Sequence, residues 1–325
     1  MTPTVSKSNS EFKFEFTINW ETLPPGYSWQ EAASVAVNSK DEVHVFNRSE
    51  HPVIVFDVNG NYLRDWGNSS MYPRSHGITF TPDDTMFLVD DDDHTVRKVD
   101  ENGRVIFTLG TSGHPTGYMS GEPFHRPTDV AIDPKTEDFY VADGYGNSRV
   151  HKYSANGKYL FSWGEPGTDP GQFNITHNIA TDKDGWVYVA DRENHRIQIF
   201  DANGNYETQW GNMHRPCALF ISPEQHVFVG ELGAGMNVNR DMPGIGPRIS
   251  IYDNNGNLLS RLGCGFGEGL GEFIAPHDIG MDSKGNLYVA EVAWTNLKNL
   301  GEIRDGVRLS LIHISEPTRR TPISY

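Results

Sequence analysis

Residues 140–164 read YVADGYGNSRVHKYSANGKYLFSWG, and residues 188–210 read YVADRENHRIQIFDANGNYETQW. Both run through an apolar strand, a loop, an alternating strand, an Asn-Gly turn and a strand ending in Trp. Residues 43–67, VHVFNRSEHPVIVFDVNGNYLRDWG, repeat the pattern, and weaker copies begin near Phe87, Phe228 and Tyr288. A short apolar stretch such as TDVAID or HNIATD opens each unit. Alternation at period two across Asn-Gly turns means antiparallel hairpins. Four strands in roughly 40–60 residues make one blade of a propeller, and a blade buries both faces only by stacking against neighbours in a ring.

Six first strands align: AASV (Ala32 to Val35), SHGI (Ser75 to Ile78), PTDV (Pro127 to Val130), THNI (Thr176 to Ile179), PCAL (Pro216 to Leu219) and PHDI (Pro276 to Ile279). Residues 1–308 therefore read as one all-β domain, a six-bladed β-propeller of four-stranded blades. The alternating segment FKFEFTINW, Phe12 to Trp20, is expected to close the ring as the outer strand of blade six. That blade still lacks a third strand. The tail LSLIHISEPTR, Leu309 to Arg319, resembles a translated sequencing-library adapter and breaks the repeat, so residues 309–325 are expected to be non-native. Its alternation would nonetheless let it occupy the vacant place.

Lys and Arg number 27 against 43 Asp and Glu, a net charge of −16 with no basic run. Such a surface repels phosphate backbones and anionic lipid, which argues against nucleic acid and membrane partners. No stretch reaches the ~18 apolar residues of a span, and MTPTVSKSNSEF has no apolar signal core, so the expectation is a soluble chain, cytoplasmic by default. Cys217 and Cys264 form neither a disulfide framework nor a C-x-x-C pair.

Chemistry enters through the second residue of each first strand: Ala33, His76, Thr128, His177, Cys217 and His277. Histidine occupies alternate blades, 101 and 100 residues apart. Alternate blades of a six-blade ring are a third of a turn apart, so three imidazoles at one depth converge on the axis. Three neutral nitrogen ligands without a thiolate suit Zn²⁺ and leave a fourth position for substrate or water. Tyr145 has no counterpart in the clear repeats and is the candidate general base; Arg48 is either a fork for a carboxylate or, since it aligns with Arg192, an ordinary arginine of the blade. Asp278 is read as an orienting group or a Ca²⁺ ligand. The run Asp90 to Asp93 is expected to be a solvated loop, and Cys217 an inert buried thiol.

PTDVAID, YVADGYGNSRV, ITHNIA, VADRENHRIQIF and APHDIG together resemble the lyase domain of peptidylglycine α-amidating enzymes, a six-bladed propeller of NHL repeats. The resemblance runs from about Val35 to Val289. It implies zinc on His76, His177 and His277, Tyr145 as base, and Arg48 on the substrate carboxylate. It further implies a structural calcium held by Asp278 and the carbonyls of Val35 and Ile78. The implied reaction cleaves the N–Cα bond of a peptide or small molecule ending in α-hydroxyglycine, giving an amide and glyoxylate. Gly146 stands where animal members carry a disulfide cysteine, and no hydroxylase domain is present in the chain. Two alternatives remain at this point: a propeller lactonase, and a non-catalytic NHL binding scaffold. Native substrate and oligomeric state are left open.

Overall fold

A computed structural model describes residues 12, 14–17, 19–302 and 312–315. Six four-stranded antiparallel sheets follow one another around a central channel, and each is threaded from its inner strand outward. Blade one comprises Ala32–Val37, Val43–Asn47, Val53–Phe56 and Tyr62–Trp66. Blades two to five repeat it from Ser75–Phe80, Asp129–Ile132, Thr176–Thr181 and Pro216–Ile221, and blade six begins at Pro276–Met281. Second strands such as Phe139–Asp143 and Val187–Asp191 are buried at every position because a neighbouring sheet covers each face. The fourth strands, such as Val105–Gly110, alternate toward solvent.

The repeat's two signature elements meet across blades. At the Asn-Gly turn of blade two, Gly103 has φ +78°, and a Cβ there would lie 2.3 Å from the ring of Trp66, the residue that ends blade one. Gly204 stands in the same way over Trp163, and Gly256 over Trp210. Glycine thus supplies a left-handed turn and leaves room for the preceding blade's tryptophan. An aspartate closes four of the five turns, with Ser154 in its place in blade three: Asp201 Oδ1 accepts the amide N–H groups of Asn203 and Asn205 at 2.8 and 2.9 Å.

Closure matches the expectation for the N-terminus, since Glu15–Thr17 is the outermost strand of blade six. The third place, left vacant by residues up to 308, is taken by Ile312–Ser315, which pairs with Glu15–Thr17 on one side and Leu287–Glu291 on the other. Residues 309–311 and 316–325 of the proposed non-native tail lie outside the described residues. Ile314 is fully buried among Phe14, Phe16, Phe273, Leu287 and Val289. Whatever the origin of the segment, this one side chain fills the core of the closing blade. Ile314→Ala should therefore destabilise the fold by about 2–5 kcal/mol, read as a lower midpoint in denaturant; an unchanged midpoint would mean that the strand contributes nothing to closure.

Among the described residues there is one α-helix, Ala293–Leu300, lying over blade six at the channel mouth and packed through Ala293 and Leu297 on Ile274, Ala275 and Val292. No helix among them is long and apolar enough to cross a membrane.

Candidate metal centre

The aligned first strands carry their second residues to one level of the channel. His76, His177 and His277 meet there with ring centroids 4.7–4.9 Å apart, and one ligand nitrogen from each lies within 4.8 Å of the others. All three are buried. Among the described residues no other trio of His, Cys, Asp or Glu comes together in this way.

The intervening blades aim them. His76 Nδ1 donates to the Thr128 carbonyl at 2.7 Å, and His277 Nδ1 to that of Ala33 at 2.6 Å. His177 Nδ1 lies 3.1 Å from the Cys217 carbonyl and 2.8 Å from Asn178 Oδ1. Ala33, Thr128 and Cys217 are the other three members of the same sequence column, so each histidine is held by the backbone of the next blade. These bonds set the tautomer and leave the Nε2 lone pairs pointing inward. Burial holds the imidazoles neutral: His76 and His177 lie well below the ordinary histidine value, and His277 is pushed down to about 3, with the Arg48 charge adding to burial. Three buried, neutral, converging lone pairs fit a metal that prefers nitrogen donors. Cys217 supplies its carbonyl rather than a thiolate, because burial raises its thiol to about 12.

Tyr145 extends from the loop between the second and third strands of blade three. Its Oη lies 3.1 Å from His76 Nε2 and 3.2 Å from His177 Nε2, beside the point where the three lone pairs meet. Guanidinium groups cover its ring, with Arg126 Cζ 4.7 Å and Arg192 Cζ 5.5 Å from the centroid. A Cβ at Gly146 would fall 1.9 Å from the His125 ring, so the cysteine that the resemblance places here has no room in this chain. Arg48 lies on the same cavity of about 280 Å³ as Tyr145 and His277, with Nη1 on Glu31 at 2.5 Å and Nε on the Ser75 carbonyl at 3.1 Å.

The Asp90–Asp93 run is not a solvated loop. Asp90, Asp91 and Asp93 are buried: Asp90 accepts backbone N–H groups of Arg74, Asp92 and Asp93, Asp91 binds Arg74 and Arg126, and Asp93 binds Arg97. Charge density along the chain suggested solvent, whereas two of the three arginines that bury the run, Arg74 and Arg126, lie 17 and 35 residues from Asp91 in sequence. Arg74, Arg126 and Arg215, each directly preceding one of the aligned tetrads, also reach the cavity. The signal for them was present one position before the tetrads.

One residue beyond the histidines, the channel carries Asp129 and Asp278, both buried and lining a cavity of about 350 Å³ with Val35 and Ile78. Asp278 accepts hydrogen bonds from Ser34 Oγ, from Asn178 Nδ2 at 3.2 Å and from the amide N–H of Ile279 at 2.9 Å and of Val35 at 3.3 Å. Burial raises both carboxyls, and the charge of Asp278 raises Asp129 further. Two buried carboxyls that repel each other form an oxygen-rich place for a hard cation. The signal for Asp129 was its place in one column with Asp278, obscured by the unlike residues Ser34, Gly77, Asn178 and Ala218 at the other four positions.

A six-bladed propeller with an axial histidine trio is thus the class that fold and site define. Residues 124–153 and 173–200 match the NHL repeat. NHL repeat-containing protein 3 of Mus musculus is 30% identical over 86% of this chain and 85% of its own length. The chain belongs to the NHL-repeat family. It is also 33% identical, over 72% of its length, to peptidyl-alpha-hydroxyglycine alpha-amidating lyase 1 of Drosophila melanogaster, spanning 45% of that protein. A gluconolactonase from Xanthomonas campestris has the same fold, with a TM-score of 0.60 at 9% identity over 95% of this chain and 91% of that one.

Proposed function

We propose that the chain is a zinc-dependent lyase cleaving the N–Cα bond of a terminal α-hydroxyglycine, with an amide and glyoxylate as products. One observation carries this reading. Tyr145 Oη stands within 3.2 Å of two of three converging Nε2 atoms while arginines line the same cavity. Similarity to the amidating lyase supports it. Zn²⁺ on His76, His177 and His277 would supply Lewis-acid polarisation of the substrate hydroxyl.

The remaining steps belong to the chain's own side chains. Arg48 and Arg192 pair with the glycine carboxylate and orient Cα toward Tyr145. Tyr145 Oη takes the hydroxyl proton, the electron pair left on oxygen closes the C=O of glyoxylate, and the Cα–N bond breaks. The bonding pair leaves on the amide nitrogen, which takes the proton back from Tyr145 Oη, so the atoms of the substrate are divided between the two products and the tyrosine returns to its starting state. Asp278, with the carbonyls of Val35 and Ile78, is assigned to a structural Ca²⁺, for which Asp129 adds a second buried carboxyl.

The direct test is glyoxylate release from an α-hydroxyglycine peptide by zinc-loaded protein. Arg48→Ala should weaken substrates bearing the glycine carboxylate by about tenfold or more relative to carboxamide analogues. Equal loss on both would make Arg48 a structural partner of Glu31. The similarity to NHL repeat-containing protein 3 over most of both chains favours a second reading, a binding scaffold, which predicts no turnover of any such substrate.

A further inference from the structure

The cavity above Tyr145 holds more positive charge than one carboxylate requires. Five guanidiniums reach it, those of Arg48, Arg74, Arg126, Arg192 and Arg215, in a chain whose net charge is −16. Three carboxylates hold them. Arg48 pairs with Glu31, Arg192 and Arg215 share Glu193, and Arg74 and Arg126 share Asp91. The balance is five against three, and each shared carboxylate leaves one guanidinium charge uncompensated.

The arginines differ in access. The side chains of Arg48 and Arg192 are 9% and 11% exposed, whereas those of Arg74 and Arg126 are 28% and 36% exposed. Arg74 Nη1, Arg126 Nε and Arg126 Nη2 all converge on one oxygen, Asp91 Oδ2, at 2.5, 3.0 and 2.5 Å. A guanidinium has five N–H donors, so most of the donors of this pair are not used on Asp91. The pair is also fixed in place. Asp91 is buried, Arg126 lies over the Tyr145 ring, and its backbone N–H is held by His94 Nδ1 at 3.2 Å.

We infer that Arg74 and Arg126 form a second anion subsite, and that the substrate carries two anionic groups: the glycine carboxylate and a second carboxylate on the acyl arm. This rests on the lyase reading, which places the first carboxylate at Arg48 and Arg192. A cavity of about 280 Å³ is at the small end for a ligand site, so both charges sit on one compact molecule or on the last two residues of an acidic peptide. A fork held rigid by a buried carboxylate discriminates by charge and geometry at little entropic cost.

Two unreactive analogues lacking the α-hydroxyl test it by calorimetry on the zinc-loaded protein at one ionic strength: N-succinylglycine, a dianion, and N-succinamoylglycine, its carboxamide isostere. The dianion should bind at least tenfold more tightly. In the double variant Arg74→Gln, Arg126→Gln that gap should close, while the carboxamide changes less than about twofold. Arg126→Lys, which keeps the charge beside Asp91, should retain part of the gap, and Arg104→Gln on the outer surface should retain all of it. Equal affinities in the unmodified protein, with both probes bound, would overturn the second subsite and leave the lyase reading standing. Binding of neither probe would overturn both. A full gap in the double variant would refute the assignment to Arg74 and Arg126.

Discussion

His177→Ala should strip zinc from the channel, leaving well under a tenth of the metal found in the unmodified protein by elemental analysis after dialysis. The expectation follows from how the site is built. Each imidazole supplies one of three Nε2 donors, and a two-nitrogen remnant in a buried channel has, among the described residues, no fourth imidazole to replace the third, only the Tyr145 hydroxyl beside it. Cys217 lies nearby, with Sγ 3.3 Å from His177 Nδ1, but its buried thiol stays protonated and is a poor substitute. His195→Ala is the control, because His195 accepts the Arg215 amide N–H outside the histidine column. Calcium should behave independently: Asp278→Asn should lose it and keep zinc. Full zinc retention in His177→Ala would refute the trigonal site.

Tyr145→Phe should lower glyoxylate release by about 10²–10⁴-fold while zinc stays bound, since positioned proton transfer contributes on that scale. The phenylalanine ring preserves the stacking of Arg126 and Arg192 and removes only the oxygen that stands 3.1 and 3.2 Å from two histidines. A loss confined to turnover, with N-succinylglycine binding unchanged, separates a catalytic role from a packing role. Undiminished turnover would take Tyr145 out of the mechanism.

The ring and its axial trio were legible in the chain itself. Strand alternation recurs around the ring, Asn-Gly turns close the outer hairpins of five blades and tryptophan ends the fourth strand of three, and repetition multiplies weak evidence. Column position then converts directly into depth in the channel, because every first strand enters the ring in the same way. His76, His177 and His277 were therefore found without any fold in hand, and Tyr145 stood out as an unrepeated residue in a repeated loop.

Other features depended on contacts between blades. Nothing local marks Ala33, Thr128 and Cys217 as the residues whose carbonyls orient the histidines, since a backbone oxygen has no sequence signature. The acidic run at Asp90–Asp93 read as solvated because its partners Arg74 and Arg126 lie outside it. Gly146 has no local signature for its smallness, which follows from the His125 ring occupying the space where a Cβ would lie. The sequence by itself determined the repeat, the ring and the level of each side chain in the channel, because these follow from short-range periodicity. Only the tertiary structure decided which charges are paired, which carboxyls are buried together and that Ile312–Ser315 fills the third place of blade six. Coulombic pairing, desolvation and edge-strand pairing act between residues that the chain order keeps far apart.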